Sequence, residues 1–168
     1  MSDITEEELC SFIKSLKPEF EYEKNSTNLA TWDTTARHYI GKHIENRFEE
    51  KFGKRILGER ISDYFGYEGQ NNKLKRTKVF SSGCYPDMYF LKPAKIAIEL
   101  DHGKKGSNLK NALTKAGFDK LSKDWDRVFV IFFDESGNDK IKESLKEKQT
   151  EDILKFYKEQ LNTEVMII

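Results

Sequence analysis

The stretch Tyr85-Pro86-Asp87-Met88-Tyr89-Phe90-Leu91-Lys92-Pro93-Ala94-Lys95-Ile96-Ala97-Ile98-Glu99-Leu100-Asp101 decides the fold. Two runs of strand-forming residues, 85–91 and 95–101, flank the turn signal Lys92-Pro93-Ala94, which predicts neighbouring antiparallel strands. Ile96, Ile98 and Leu100 alternate with Ala97, Glu99 and Asp101. Side chains two apart share a face, so Glu99 and Asp101 project together, away from the apolar set. Asp87 shares a face with Tyr89, and pairing around Pro93 brings it near Glu99 and Asp101. Three carboxylates at one edge repel unless a cation compensates, and oxygen-only ligands suit a hard ion such as Mg²⁺.

Working outward, residues 108–123 read as a helix with Ser107 as N-cap and Leu109, Ala112, Leu113 and Ala116 on one face. The continuous apolar run 127–133 has the pattern of a strand buried on both faces. Residues 139–161 read as one long polar helix with Ile141, Leu145, Ile153, Leu154, Phe156 and Tyr157 for packing, and 163–168 as a final strand. On the other side, 75–80 predicts the first strand of a three-stranded meander, separated from 85–91 by Ser81-Ser82-Gly83. Residues 54–72 give no firm element. A helix over 34–52 carries the stripe Ala36, Ile40, Ile44, Phe48 and Phe52 and stops at Gly53. A shorter one over 5–17 has an acidic first turn and buries Leu9, Phe12, Ile13 and Leu16. The order predicts an α/β fold: a mixed sheet that starts as an antiparallel meander and is flanked by helices. We read 1–168 as a single domain, with a helical extension (1–33), a motif-bearing core (34–135) and a closing helix and strand (136–168).

The 168 residues suffice for one core that buries roughly two-thirds of the unfolded surface. A charged fraction of 35% is high, but 12% aromatic content argues against disorder. No apolar run approaches the ~20 residues of a membrane span. The acidic start predicts no secretory signal, and two cysteines, Cys10 and Cys84, make neither a disulfide framework nor a zinc site. These features predict an intracellular, cytoplasmic protein with no membrane partner. The formal net charge of zero hides a segregation. Residues 1–35 are acidic, 103–123 carry Lys104, Lys105, Lys110, Lys115, Lys120 and Lys123 against only Asp119, and Lys73, Lys75, Arg76 and Lys78 form a second basic cluster. Phosphate binding depends on local Lys/Arg density, so a basic face remains open; solvated Lys-rich surfaces are the other reading.

Pro86-Asp87, the intervening Met88–Ile98 and then Glu99-Leu100-Asp101 resemble the PD-(D/E)XK nuclease motif, and the element order resembles the restriction-endonuclease-like fold, which includes Holliday-junction resolvases. The resemblance covers roughly residues 34–135. It implies a Mg²⁺-dependent endonuclease, with Mn²⁺ as a substitute, that cuts DNA phosphodiesters in a restriction-like or structure-selective way. Asp87 and Glu99 would be metal ligands, joined by Asp101. Their ion would polarise the scissile phosphate and lower the pKa of an attacking water. Glu45, with Phe48 and Phe52 three and seven positions on, matches the family's upstream helical glutamate; its other reading is an ordinary helix-surface residue. Lys73, Lys75, Arg76, Lys78, Lys104, Lys105 and Lys110 would contact DNA. A homodimer would let a small domain cut both strands. The chain departs from the motif at its last position, where Asp101 stands in place of lysine and cannot donate as an ammonium does. Lys104, Lys105 or Lys110 are candidates to reach back, and spacing does not choose among them. Asp101 also favours a second reading, a nuclease fold that binds nucleic acid without turnover. On a third, the carboxylates serve only ion pairing or surface charge.

Overall fold

Helix α1, Glu6–Lys14, starts where a capping box demands it: the Thr5 hydroxyl accepts the Glu8 N–H at 3.2 Å, and the Glu8 carboxylate accepts the Thr5 N–H at 2.9 Å. Its face of Leu9, Phe12 and Ile13 packs against the stripe Ile40, Ile44, Phe48 and Phe52 of helix α2, Leu29–Phe52, and all seven side chains are buried. Helix α2 begins five residues before the expected start and ends as expected, with the Gly53 N–H donating to the Glu49 carbonyl at 2.8 Å. This computed structural model describes residues 4–16, 29–56, 58–67, 77–79, 82–102, 106–122, 125–133 and 140–167.

A five-stranded mixed sheet forms the middle layer. Strands β1 (Phe65–Tyr67), β4 (Met88–Phe90) and β5 (Ile96–His102) are antiparallel neighbours; β6 (Arg127–Phe133) and β7 (Thr163–Ile167) continue from β5 in parallel. Helix α3, Gly106–Leu121, makes the crossover from β5 to β6 and covers the face opposite α1 and α2. Helices α4 (Lys140–Leu145) and α5 (Lys148–Leu161) lead into β7.

The alternation in β5 is resolved as expected. Ile96, Ile98 and Leu100 enter the core with α1 and α2, whereas Ala97 enters the second core with Tyr89, Leu109, Ala112, Leu113 and Ala116. In β6, Phe129 and Ile131 face one core and Val128, Val130 and Phe132 the other, which is why that run is apolar throughout. The first core is dense in aromatic contacts. Phe48 lies 5.5 Å from Phe90 and 5.9 Å from Phe12, and Phe65 lies 4.8 Å from Phe90 between ring centres.

Four expectations need correction. The strand at 75–80 does not open the meander. Thr77–Val79 (β2) pairs with Ser82–Cys84 (β3) as a separate two-stranded antiparallel sheet, the two runs being only two residues apart in the sequence. Its place is taken by β1, inside the 54–72 region that gave no element. Gly66 lies directly under the Tyr89 ring and Gly41 of α2 directly against Tyr67; at either position a Cβ would collide with the aromatic ring, so the edge strand depends on two absent side chains. Ser107 does not cap α3, since the helix begins at Gly106 and already includes it. Finally, the helix expected over 139–161 is two helices. No apolar residue lies between Leu145 and Ile153 to hold a continuous helix on the core, and Glu147 is extended between α4 and α5.

Two stability predictions follow from this packing. Phe48→Ala should cost about 3–5 kcal/mol, the range for emptying a fully buried aromatic site, read as a lower urea midpoint. The Arg55 guanidinium, 2.7 and 2.9 Å from the two Glu8 oxygens, lowers the Glu8 carboxyl from 4.5 to about 2. A depressed carboxyl adds stability above its ordinary value, and that stability is lost as pH falls from 4.5 toward about 2. Thermal unfolding followed by circular dichroism should therefore show an acid-dependent drop in Tm across that window, and a smaller drop in Arg55→Ala.

Candidate functional site

Pairing of Met88 with Ile98 sets the geometry, because one further step along the register places Asp87 opposite Glu99. Both are on the α3 side of the sheet, with Tyr89 and Ala97. Asp87 is 5% exposed and prolongs the ladder with its side chain: its Oδ2 accepts the Leu100 N–H at 2.8 Å, just beyond the last β4 partner. Arg37 of α2 places Nη1 3.3 Å from the other Asp87 oxygen.

Glu99 is 1% exposed, and its Oε2 has no hydrogen-bond partner. The Lys115 ammonium, projecting from α3, stands 3.6 Å from that oxygen, close enough for charge and too far for a hydrogen bond. A third buried carboxyl, Asp119, sits one helical turn further along α3 at 4% exposure and is the hydrogen-bond acceptor for Glu99 in its protonated form. Its Oδ2 also lacks a donor. Burial first, then the negative charges of Asp87 and Asp119, push Glu99 well above the usual carboxylate range, with Lys115 opposing. Burial likewise raises Asp119, from 3.8 to about 6; Asp87 adds to the rise, while the contact with Glu99 and the Lys115 charge oppose it. Burial of the Lys115 ammonium works against its charge, but Glu99 and Asp87 outweigh that and raise its pKa.

The other expected residues stand as follows. Asp101, at the outer end of the acidic row, accepts the Asn108 side-chain N–H at 3.0 Å, so it is Asp119 that meets Glu99. Glu45 is bound by Lys42 on its own helix at 2.7 Å. Lys110 is exposed on α3. Lys78 belongs to β2, and Lys73, Lys75, Arg76, Lys104 and Lys105 lie outside the described residues.

Arg37, Lys115 and Asp119 were not among the expected site residues. The available signal was in α3, where Asn108, Lys115 and Asp119 fall on one helical stripe beside the apolar face, and in the isolation of Asp119 as the only acid in a basic segment.

No family model, curated protein or solved structure matches this chain. Among the described residues, no group of three or more His, Cys, Asp or Glu side chains is placed to hold a metal ion as it stands, and no helix is long and apolar enough to cross a membrane. The donor chemistry nonetheless suits a hard divalent cation. The set is all oxygen, and two buried carboxylate oxygens, Glu99 Oε2 and Asp119 Oδ2, have no donor to answer them.

Raised carboxyl pKa values mean that the folded state holds extra protons, so stability falls as pH rises from 3.8 toward about 6. Asp119→Asn removes one of the mutually repelling charges. Its Tm should fall less than that of the parent between about pH 4 and about pH 7, and an equal fall in the two proteins would contradict the assignment of Asp119 to this cluster.

Proposed function

We propose that the protein is a Mg²⁺-dependent endonuclease that hydrolyses DNA phosphodiesters on a restriction-endonuclease-like core, with Mn²⁺ able to substitute. The observation that carries this reading is the register placing Asp87 opposite Glu99 on adjacent antiparallel strands, under a crossover helix that supplies Lys115. Asp87 and Glu99 hold the ion; once bound, it polarises a phosphate and acidifies a water. Lys115 takes the role that Asp101 cannot fill: its raised pKa keeps it an ammonium at neutral pH, a positive charge able to offset negative charge developing on phosphate. Arg37, held by Asp87 at the sheet end, adds a second cation at the same place. The exposed Lys110 and the lysines and arginine at 73–78 and 104–105 are the proposed backbone contacts, which position DNA without reading its sequence. Two copies would be needed to cut both strands together, and a cytoplasmic location accords with this role.

A second reading, a nuclease fold that binds nucleic acid without cutting it, has its own support. Asp101 stands in the lysine position, and Arg37 and Lys115 already partner Asp87 and Glu99.

Incubation of the purified protein with supercoiled plasmid and Mg²⁺ or Mn²⁺ should convert it to nicked or linear product. Asp87→Ala and Glu99→Ala should each abolish conversion. Lys115→Met should slow it by about two orders of magnitude, the usual loss on removing one charge-stabilising donor. Unchanged cleavage by both carboxylate variants removes the assignment; DNA binding without metal and without cleavage by the parent selects the second reading.

A further inference from the structure

Three features of α3 converge on Glu99. Lys115 approaches it at 3.6 Å, Asp119 meets its carboxyl, and the small residues Ala112 and Ala116 let the helix lie close to the sheet. The contact between Glu99 and Asp119 is unusual in kind. Two carboxylates, each with a buried oxygen that no donor reaches, face one another in a site at most 5% exposed, with Asp87 on the third side. Two ionised carboxylates do not bind one another, so such a contact persists with a proton on one of them, as the raised Glu99 carboxyl supplies, or with a cation that takes the proton's place. Lys115 answers from one direction and lies outside hydrogen-bonding range.

We infer that Asp119 is the third carboxylate ligand of a divalent-cation site that it forms with Asp87 and Glu99, so that the ion is bound between the sheet and α3. This rests on the metal-dependent reading above and departs from it in the ligand set, where Asp119 takes the place given to Asp101, whose Oδ1 accepts from Asn108. Arg37 and Lys115 already hold two of the three carboxylates, so an incoming ion competes with them, and the carboxylates are not gathered into a cage without it. Carboxylates from three separate elements suit Mg²⁺ or Mn²⁺, which take oxygen ligands and retain waters.

Mn²⁺ binding measured by calorimetry on the full chain, without DNA, tests the site independently of activity. The parent should bind Mn²⁺, and Asp119→Asn should weaken binding by about tenfold or more, a loss that even outer-shell partners bring. Asp101→Asn, which removes the same charge from the neighbouring position in β5, should weaken it far less. Lys115→Met, by removing a competitor, should tighten it. Equal losses in Asp119→Asn and Asp101→Asn, or undiminished binding by Asp119→Asn, overturn the inference. In that case, loss of binding in Asp87→Asn would leave the metal-dependent reading standing. No Mn²⁺ binding by the parent would defeat both. Metal-free melting confirms that each variant folds, and Asp119→Ser provides a second neutral replacement if the amide does not.

Discussion

The register between β4 and β5 is the constraint on which the site depends, and it is set by hydrophobic burial. Met88 and Phe90 from one strand and Ile96 and Ile98 from the other all enter the core under α1 and α2. Each such side chain is worth about 1.5–3 kcal/mol when fully buried. A slip of one residue would turn the whole set to the opposite face and lose most of that stabilisation. Because side chains alternate, the same register sends Tyr89 and Ala97 to the α3 side, and Asp87 and Glu99 with them. The apolar residues therefore position the polar ones, although none of them belongs to the site.

The electrostatics work against this arrangement. Three buried carboxylates, Asp87, Glu99 and Asp119, face two cations, Arg37 and Lys115, so the fully ionised cluster would carry one uncompensated negative charge at low exposure. Desolvation is the largest cause of the raised pKa values of both Glu99 and Asp119. An apolar replacement of the whole cluster would be expected to cost little or even to stabilise, whereas removing a single cation would leave an unpaired buried charge. A cluster that folding alone would not favour points to a role outside stability.

Parts of this were readable from the chain because they rest on long, periodic signals. The α2 stripe, the two-sided apolar run of β6 and the alternation in β5 each repeat one rule over seven or more residues. The placement of Asp87 with Glu99 followed from that alternation and one turn. The elements that escaped are short or defined by absences. Strand β1 has three residues and depends on contacts made possible by Gly66 and Gly41, which distant aromatic rings occupy; nothing local announces them. The hairpin of β2 and β3 has strand character, but strand character does not say which partner a strand takes. In α3, Lys115 and Asp119 sit beside an apolar face that accounts for the helix by itself, so their role becomes visible only when the helix is laid on Glu99.

On the nuclease reading proposed above, that placement would also account for aspartate at 101, where the resembled motif has lysine. A lysine at 101 would deliver its charge from the same strand as Glu99. Here the charge comes from the crossover helix, and what allows it is the size of the residues at the contact. Ala97 in β5 and Ala112 and Ala116 in α3 are all buried in the one core between sheet and helix. Larger side chains there would hold the helix further from the sheet, and a surface-rooted Lys115 at 3.6 Å from Glu99 would be drawn out of range. Position 101 carries an acceptor, which Asn108 on the same helix engages at 3.0 Å. The acidic row of β5 and the polar stripe of α3 are thus two halves of one interaction, and the alanine seam between them determines whether the carboxylates meet a charge or only each other.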